Sequence, residues 1–396
     1  MTPRRWWAAA LAGAAALSAQ DVLHAQVPAW SVQAQQRLLA GPDAAHTLAE
    51  QQRLVQHAET QLAAGASEAA QDAFDRAAMM VHSADVEIGL VRTYLQAGDY
   101  RRALTFASHA AGAHRNVPAG TALYAWLLQI GGQGVYARRL VDDALALAPF
   151  DAALLAVQAQ IGSDWPHPDA ALLQAPLRAA PYATGATPPA NTRVAGTAVL
   201  AGDGATALAP AALLPAAGRL WVRNGLGQTV AATVAQPAGD ARLVVLHLTT
   251  ALPLPESLAA SVATSTSEPF AGSPGTTVEY RFGDGAAPAW PLLRQGFFGR
   301  GLEVPSAGSL AAPPGRLLGI TAPPGPRGGP VFDAFGRIAG VALPHADGRD
   351  RLVPVQNLAP DLRWPAASSA RAAERPGLDS VYATALHLAL QLLVAD

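Results

Sequence analysis

Two patterns of apolar and polar residues divide this chain of 396 residues. From about residue 31 to 162, apolar residues recur three and four positions apart in a sequence rich in Ala, Leu, Gln and Arg, which predicts amphipathic helices. From about residue 193, short apolar runs such as 220–222 and 243–246 alternate with glycines and prolines, which predicts an all-β barrel or sandwich. The proline- and alanine-rich stretch 163–192 is expected to be a linker, because its prolines interrupt any long helix.

The helical part contains an internal repeat. Gly65, Gly98 and Gly132 are 33 and 34 residues apart, and an alanine follows five residues after each of them. A glycine supplies the positive φ of a tight turn between two helices, and small residues let the paired helices cross closely. The period and the segment 94–104 resemble the tetratricopeptide repeat. The resemblance implies an α-solenoid of about three helix pairs over residues 31–162, and the alternative is a generic alanine-rich helical bundle.

The repeat resemblance also implies a binding surface. The first helices of such pairs line a concave groove that takes an extended or helical peptide. The positions of this chain that match the groove are Glu59, Arg92, Gln96, Trp126 and Gln129. A plain solvated helix face is the alternative for each of them.

A short loop in the second half carries the strongest resemblance. Residues 325–330 read GPRGGP and lie between two apolar, strand-like runs. The segment resembles the G-x-S-G-G-P nucleophile loop of trypsin-like serine proteases, especially the HtrA type. This resemblance implies an all-β double barrel over residues 193–365, with Arg327 at the position of the nucleophile. A guanidinium cannot replace the attacking hydroxyl.

The other two positions of a catalytic triad are also changed in this resemblance. The strand that should end in a histidine leaves Ala211 or Ala212 at that place, and the strand that should carry the aspartate has Arg242. His247 and His345 are expected to be surface or structural residues. The replaced triad predicts that the chain is not an enzyme but a pseudoprotease, because no imidazole is placed to take a proton. Arg242 and Arg327, if they share the cleft, would repel each other unless an acidic group lies between them, which suggests that the cleft takes a carboxylate. The alternative is that both side chains simply reach solvent.

Both ends of the chain have distinct patterns. Arg4 and Arg5 precede an apolar stretch, and residues 23–25 offer a cleavage site, which predicts a signal peptide over 1–25 and export to a periplasm. An uncleaved anchor is the alternative, and no later segment has the length of a transmembrane span. Residues 366–396 are expected to form a linker and a C-terminal helix over 378–394, packed on the barrels or used for a partner.

Composition narrows the possible functions. The net charge of −2 and the scattered basic residues argue against nucleic-acid binding. Without cysteine, and with no two histidines at ligand spacing, no metal or cofactor is expected. We therefore expect an exported, multidomain α + β protein that binds a protein or peptide without cleaving it, as an adaptor or scaffold. An active serine endopeptidase with a rearranged site and a purely structural envelope protein remain alternatives, and the oligomeric state is open.

Overall fold

The computed structural model describes residues 39–174, 176–202, 204–238, 240–259, 262–301, 316–321, 323, 325, 327–344, 350–364 and 375–395. The predicted signal peptide over 1–25 lies outside these residues, as does His345. Among the described residues, no helix combines the length and the apolar character that a membrane crossing requires.

Seven helices fill the first part of the described chain. They are α1 (Ala44–Ala63), α2 (Ser67–Met80), α3 (Ala84–Gln96), α4 (Tyr100–Ala113), α5 (Pro118–Ile130), α6 (Gly134–Leu145) and α7 (Ala152–Ile161). Gly65, Gly98 and Gly132 lie in the turns between α1 and α2, α3 and α4, and α5 and α6, with φ of +79°, +84° and +81°. The predicted turn glycines with positive φ are therefore confirmed. Asp99 begins α4 by accepting a hydrogen bond from the Arg102 backbone N–H at 3.0 Å.

The repeated alanines occupy the helix contacts. Ala70, Ala103 and Ala137 are fully buried, one in the second helix of each pair. Phe74 of α2 packs directly over Gly89 of α3, where any side chain would collide with its ring. Small residues at these crossings let the helix backbones come close, as the sequence pattern predicts.

The first barrel is a ring of six strands that come from two distant parts of the chain. Five strands follow the linker, and the sixth is the last element of the chain. They are β2 (Arg193–Leu200), β3 (Thr206–Pro210), β4 (Arg219–Arg223), β5 (Gln228–Ala238), β6 (Asp240–Leu248) and β14 (Ala389–Ala395). Their order is β5-β4-β14-β2-β3-β6, and pairing between β5 and β6 closes the ring. A short strand from the predicted linker, β1 (Thr184–Gly185), adds to β5 in parallel.

The second barrel is contiguous in the chain. Its six strands are β7 (Pro274–Glu279), β9 (Leu292–Gly301), β10 (Arg316–Gly319), β11 (Pro330–Asp333), β12 (Ile338–Leu343) and β13 (Arg351–Pro354), closed in the order β10-β13-β12-β11-β7-β9. The short elements α8 (Glu256–Ala259) and β8 (Gly283–Asp284) lie in the connections before and after β7. The predicted fold class, a helical region followed by a double barrel of the trypsin-like type, is confirmed.

The prediction of a C-terminal helix over 378–394 is wrong in its second half. Helix α9 (Leu378–Leu388) ends at Leu388, and the seven residues of β14 pair with β2 on one side and β4 on the other. All seven are buried. A strand buried on both faces is a continuous apolar run, and such a run cannot be distinguished from a buried helix by its periodicity. The first barrel is consequently not complete within residues 193–365.

The turns of the helical part dock against the β part. A Cβ atom at Gly65, Gly98 or Gly132 would lie 2.5, 2.6 or 2.7 Å from a side-chain atom of Thr184, His387 or Leu293, respectively. One apolar core runs through the helices and both barrels. The helices are therefore held in a fixed position against the barrels rather than connected to them by a linker alone.

Candidate functional site

The loop that contains Arg327 is wedged between the two barrels. A Cβ atom at Gly328 would collide with the carbonyl oxygen of Thr197 in the first barrel, and one at Gly329 with that of Val278 in the second. Both glycines have φ in the region that L side chains rarely adopt, +141° and +103°. The two glycines are thus required by close contact with strands on either side, and they fix the direction in which Arg327 leaves the loop.

Arg327 points into the protein and is 3% exposed. Its guanidinium donates hydrogen bonds to the carbonyl oxygen of Pro323 and to the carboxylate of Asp350. Its Nε lies 4.0 Å from Oε2 of Glu279, at the end of β7. Burying a guanidinium is unfavourable unless carboxylates and hydrogen bonds compensate for its lost hydration, and this site supplies both.

Glu279 joins a second arginine to the same site. The carboxylate accepts a hydrogen bond from Arg294 Nε, and Arg294 also donates to the Asp164 carbonyl oxygen at 2.7 Å. Burial raises the pKa of Glu279 to about 7, although Arg294 and Arg327 act in the opposite direction. Burial likewise raises the pKa of Asp350 against the effect of Arg327. We call Arg327, Asp350, Glu279 and Arg294 the ionic cluster.

The other two predicted triad positions lie at the adjacent end of the first barrel. Ala211 and Ala212 form a short 3-10 turn directly after β3, and a Cβ atom at Gly328 would lie 3.1 Å from Pro210, the residue before them. Arg242 is close by, because Leu243 pairs with Pro210. The structure therefore brings the residues at the predicted triad positions to the same seam between the barrels.

Arg242 does not share a carboxylate with Arg327. Its Nη2 lies 2.6 Å from Oδ2 of Asp240, and its Nε donates to Oδ1 of the same residue at 2.9 Å. Each of the two arginines consequently has its own internal carboxylate, Asp240 or Asp350. An acidic ligand is not needed to separate them, which removes the reason for the predicted carboxylate in the cleft.

Two histidines of the β part, His247 and His387, are among the described residues. His247 is exposed on β6, five residues beyond Arg242, which is about 16 Å along a strand. His387 is buried in α9 against Gly98, and burial lowers its pKa to about 4. His247 therefore lies on the surface of the first barrel, and His387 forms part of the contact between α9 and the helical part.

A cavity of about 330 Å³ lies beside the ionic cluster. Its walls come from the linker (Trp165, Pro166), from the segment after β7 (Phe282) and from Trp290, and Glu279 is also part of the lining. The rings of Trp165 and Phe282 meet edge to face with centroids 6.2 Å apart. A side chain at Gly325 would collide with the Phe282 ring, so this ring packs directly against the Arg327 loop. We call this space the aromatic cavity.

Most of the predicted groove residues are buried. Arg92 is 2% exposed and forms an ion pair with Glu59, while Trp126 is 1% exposed. Gln96 donates to the Leu226 carbonyl oxygen at 2.5 Å and accepts from the Tyr182 backbone N–H at 3.1 Å, so its amide is occupied by the β part. Glu59 and Gln129 are half-buried. Three of the five predicted groove positions are therefore taken up by packing inside the protein, and the repeat pattern contains no information on what packs against them.

The structure brings together four titratable residues that the sequence pattern did not single out: His82, Glu87, His109 and His114. His82 precedes α3, and Glu87 lies in its first turn. His109 lies near the end of α4, and His114 directly follows that helix. An antiparallel helix pair places those two ends side by side. Counting ligand spacing along the sequence misses the cluster, whereas counting across the predicted helix pair would have found it.

No protein-family model matches the chain, and no curated protein matches it. Several solved protein structures do match this chain. The active form of the Rv3671c protease from M. tuberculosis is 13% identical, with 48% of this chain and 84% of that chain covered and a TM-score of 0.33. The HtrA-type protease AlgW with a decapeptide is 16% identical, with 41% of this chain and 48% of that chain covered and a TM-score of 0.33. The MamO protease domain from Magnetospirillum magneticum is 19% identical, with 43% of this chain and 93% of that chain covered and a TM-score of 0.30.

The prediction that the chain is not an enzyme is contradicted by this comparison. The solved structures that it resembles are named as proteases, and one is an active form. That prediction depended only on the residues at the usual triad positions, which are Ala211 or Ala212, Arg242 and Arg327. It did not take residues elsewhere in the chain into account. At these identities the likeness is one of fold, and the C-terminal part of the chain has the fold of a trypsin-like protease.

Proposed function

We propose that this protein binds peptide segments at the aromatic cavity and that an apolar or aromatic side chain of the peptide fills it. The observation that supports the proposal is the position of Glu279, which belongs both to the cavity wall and to the ionic cluster around Arg327. The volume of about 330 Å³ lies at the lower end of the range for small-ligand sites, roughly 300–1,000 Å³, and suits one large side chain.

The chemistry of the walls favours an apolar group. Trp165, Phe282 and Trp290 supply flat aromatic surface, and Pro166 adds a rigid edge. The charged residues of the lining are one arginine, Arg281, and two acidic residues, Glu279 and Asp284, so the cavity wall carries no large excess of either charge. Aromatic rings contribute contact area with little loss of side-chain entropy, which is why they recur in peptide-binding surfaces.

Titration calorimetry with pairs of short peptides tests the proposal. The two peptides of a pair are identical except that one carries a phenylalanine where the other carries an alanine. We expect the phenylalanine peptide to bind at least ~10-fold more tightly, and Phe282→Ala to remove that preference. Equal affinity within every pair would contradict the proposal.

A matched control comes from another aromatic residue. Phe270 is 83% exposed and is not part of the cavity, so Phe270→Ala should retain the preference for phenylalanine. Thermal unfolding of both variants confirms that they remain folded. Mass spectrometry of the same mixtures after incubation shows whether a bound peptide is also cleaved.

We further propose that the helical part is a tetratricopeptide-like array. The spacing of Gly65, Gly98 and Gly132 and their common turn conformation support this assignment. Of the five groove positions, Glu59 and Gln129 are the proposed contacts for a protein partner, because they keep part of their surface. Reduced capture of such a partner by a Gln129→Ala variant, measured by pull-down, would support the assignment, and unchanged capture would contradict it.

We also propose export of the protein. The support is the pair Arg4 and Arg5, the apolar stretch after them and the small residues near Ala25. Cell fractionation followed by N-terminal sequencing tests this proposal directly. A mature protein that begins after about residue 25 in the exported fraction is expected.

A further inference from the structure

Three imidazoles surround one buried carboxylate in the helical part. Nε2 of His82 lies 2.5 Å from Oε1 of Glu87, and Nε2 of His109 lies 3.2 Å from the same oxygen. Nε2 of His114 lies 3.4 Å from the other oxygen, Oε2. The rings of His82 and His114 are 4.7 Å apart between centroids. Glu87 is in the first turn of α3, His109 in the last turns of α4, His114 directly after α4, and His82 in the connection between α2 and α3.

Two atoms of the cluster lack a hydrogen-bond partner. Glu87 Oε2 and His114 Nε2 are both buried and unsatisfied, although they face each other at 3.4 Å. A carboxylate oxygen is only an acceptor, and the nitrogen of a neutral imidazole that carries no proton is also only an acceptor. When His114 Nε2 carries no proton, the two facing atoms are both acceptors, and a cation bound between them would satisfy both.

The chemistry of the cluster suits a cation. Imidazole nitrogen and carboxylate oxygen are both ligands of divalent transition metals, and each binds a metal ion through a lone pair of its deprotonated form.

We propose that His82, Glu87 and His114 bind a divalent transition-metal ion, with zinc as the best match. The ligand atoms of these three residues all lie within 4.8 Å of one another. Zinc takes imidazole nitrogen and carboxylate oxygen at about 2.0–2.2 Å in a tetrahedron, which sets its ligand atoms about 3.3 Å apart. Nε2 of His82 lies 2.5 Å from Glu87 Oε1 and Nε2 of His114 lies 3.4 Å from Glu87 Oε2, so rotation of these side chains would have to bring the three ligand atoms to tetrahedral spacing.

His109 has a different role in the proposed site. Its Nε2 lies within hydrogen-bond distance of Glu87 Oε1, at 3.2 Å. Such a partner orients a ligating carboxylate and is a positioning residue rather than a ligand. The side chains of His82 and His114 are 27% and 15% exposed, which leaves a route for the ion and a fourth coordination position for water.

A bound ion would connect two separate segments. His82 and Glu87 lie at the start of the α3–α4 pair, and His114 lies at its end. The ion would therefore fasten the beginning of the pair to its end. Because it binds only when these segments are folded together, it would stabilise the folded state in proportion to ln(1 + [metal]/Kd).

The test is metal titration of the full chain, purified without a polyhistidine tag. We expect one Zn²⁺ per chain by calorimetry, and visible absorption bands when Co²⁺ is used as a spectroscopic probe. Zn²⁺ should also raise the melting temperature of the wild type. If the wild-type chain binds neither ion stoichiometrically and its melting temperature does not change, the proposal is wrong.

Variants locate the ion. His114→Asn should weaken Zn²⁺ binding at least ~100-fold, and His109→Gln by about 10- to 100-fold, as expected for a residue that orients a ligand. His57→Asn is the matched control, because His57 is an exposed histidine on α1 and its loss should leave the affinity unchanged. Unchanged affinity in His114→Asn overturns the assignment. If His114→Asn does not fold, the same comparison is made with His82→Asn.

Discussion

Arg327 donates a hydrogen bond to the carboxylate of Asp350 inside the protein, at the position where the sequence resemblance places a nucleophile. The side chains are 4% and 8% exposed. A buried arginine with an internal carboxylate partner is a fixed structural element, and its effect on stability can be measured directly.

Replacing Arg327 with alanine should destabilise the protein strongly. The change leaves Asp350 buried without its partner, and removing one member of a buried ion pair typically costs about 3–5 kcal/mol. Urea unfolding measures the loss. Arg53→Ala is the control, because it removes an ion pair with Glu50 whose arginine is 70% exposed, and a change of less than ~1 kcal/mol is expected. Similar unfolding midpoints for the two variants would argue against the ionic cluster as described.

The double variant Arg327→Met with Asp350→Leu refines this prediction. Replacing both members of a buried pair by apolar residues removes the uncompensated charge, so much of the stability lost in Arg327→Ala should return. Urea unfolding under the same conditions provides the comparison. A double variant that is less stable than Arg327→Ala would show that the seam depends on these charges for its structure.

Gly98 is expected to tolerate no side chain. Its φ is +84°, and a Cβ atom would lie 2.6 Å from His387 Nε2. Gly98→Ala should therefore lower the free energy of unfolding by more than ~1 kcal/mol. Gly112→Ala is the opposite case, since Gly112 lies in α4 with no atom within 4 Å of the added carbon. That variant should gain roughly 0.5–1 kcal/mol from helix propensity.

His387 should make stability depend on pH. The unfolded chain takes up its proton near pH 6.5, whereas burial lowers the pKa in the folded protein to about 4. Between these values the unfolded state binds more protons, so this contribution is fully present above pH 6.5 and is lost as pH falls towards 4. The expected loss is about 3 kcal/mol.

Comparing variants isolates this effect from other titrating groups. The free energy of unfolding of His387→Gln, measured at several values between pH 7 and 4, should fall less steeply than that of the wild type. His247→Gln changes an exposed histidine on β6 and should follow the wild-type curve. Parallel curves for His387→Gln and the wild type would show that His387 does not titrate as proposed.

Strand β14 should be indispensable for the first barrel. Deleting the chain after Leu388 exposes the edges of β2 and β4, which both pair with β14 in the intact protein. We expect loss of cooperative unfolding and aggregation, measured by circular dichroism and size-exclusion chromatography. A chain that ends at Ala395 is the control and should behave as the wild type. A soluble, cooperatively unfolding chain that ends at Leu388 would contradict this role.

The sequence predicted what depends on local chemistry. The turn glycines follow from the need for positive φ, and strands β4 and β6 follow from the short apolar runs at 220–222 and 243–246. The loop at Arg327 was located by its two glycines, which the structure explains by close contact with Thr197 and Val278.

What the sequence did not predict depends on distant partners. Residues 389–395 form a strand because their backbone pairs with β2 on one side and β4 on the other. The periodicity of a sequence contains no information on such distant neighbours. Gln96 lost its expected groove surface to Leu226, 130 residues further along the chain. The site of His82 and His114 likewise depends on two helix ends that are adjacent in space but not in sequence.

The origin of β14 also sets an order for folding. The second barrel is encoded within 274–354 and can close as soon as that segment is available, while the first barrel waits for residues 389–395. Until then, β2 and β4 are the open edges of an incomplete sheet, which invites pairing with other molecules. One barrel is thus nested inside the other in the chain. Cleavage of the chain at one site therefore cannot separate the two barrels as independent fragments. During synthesis, the first barrel begins to be made earlier than the second but is completed later.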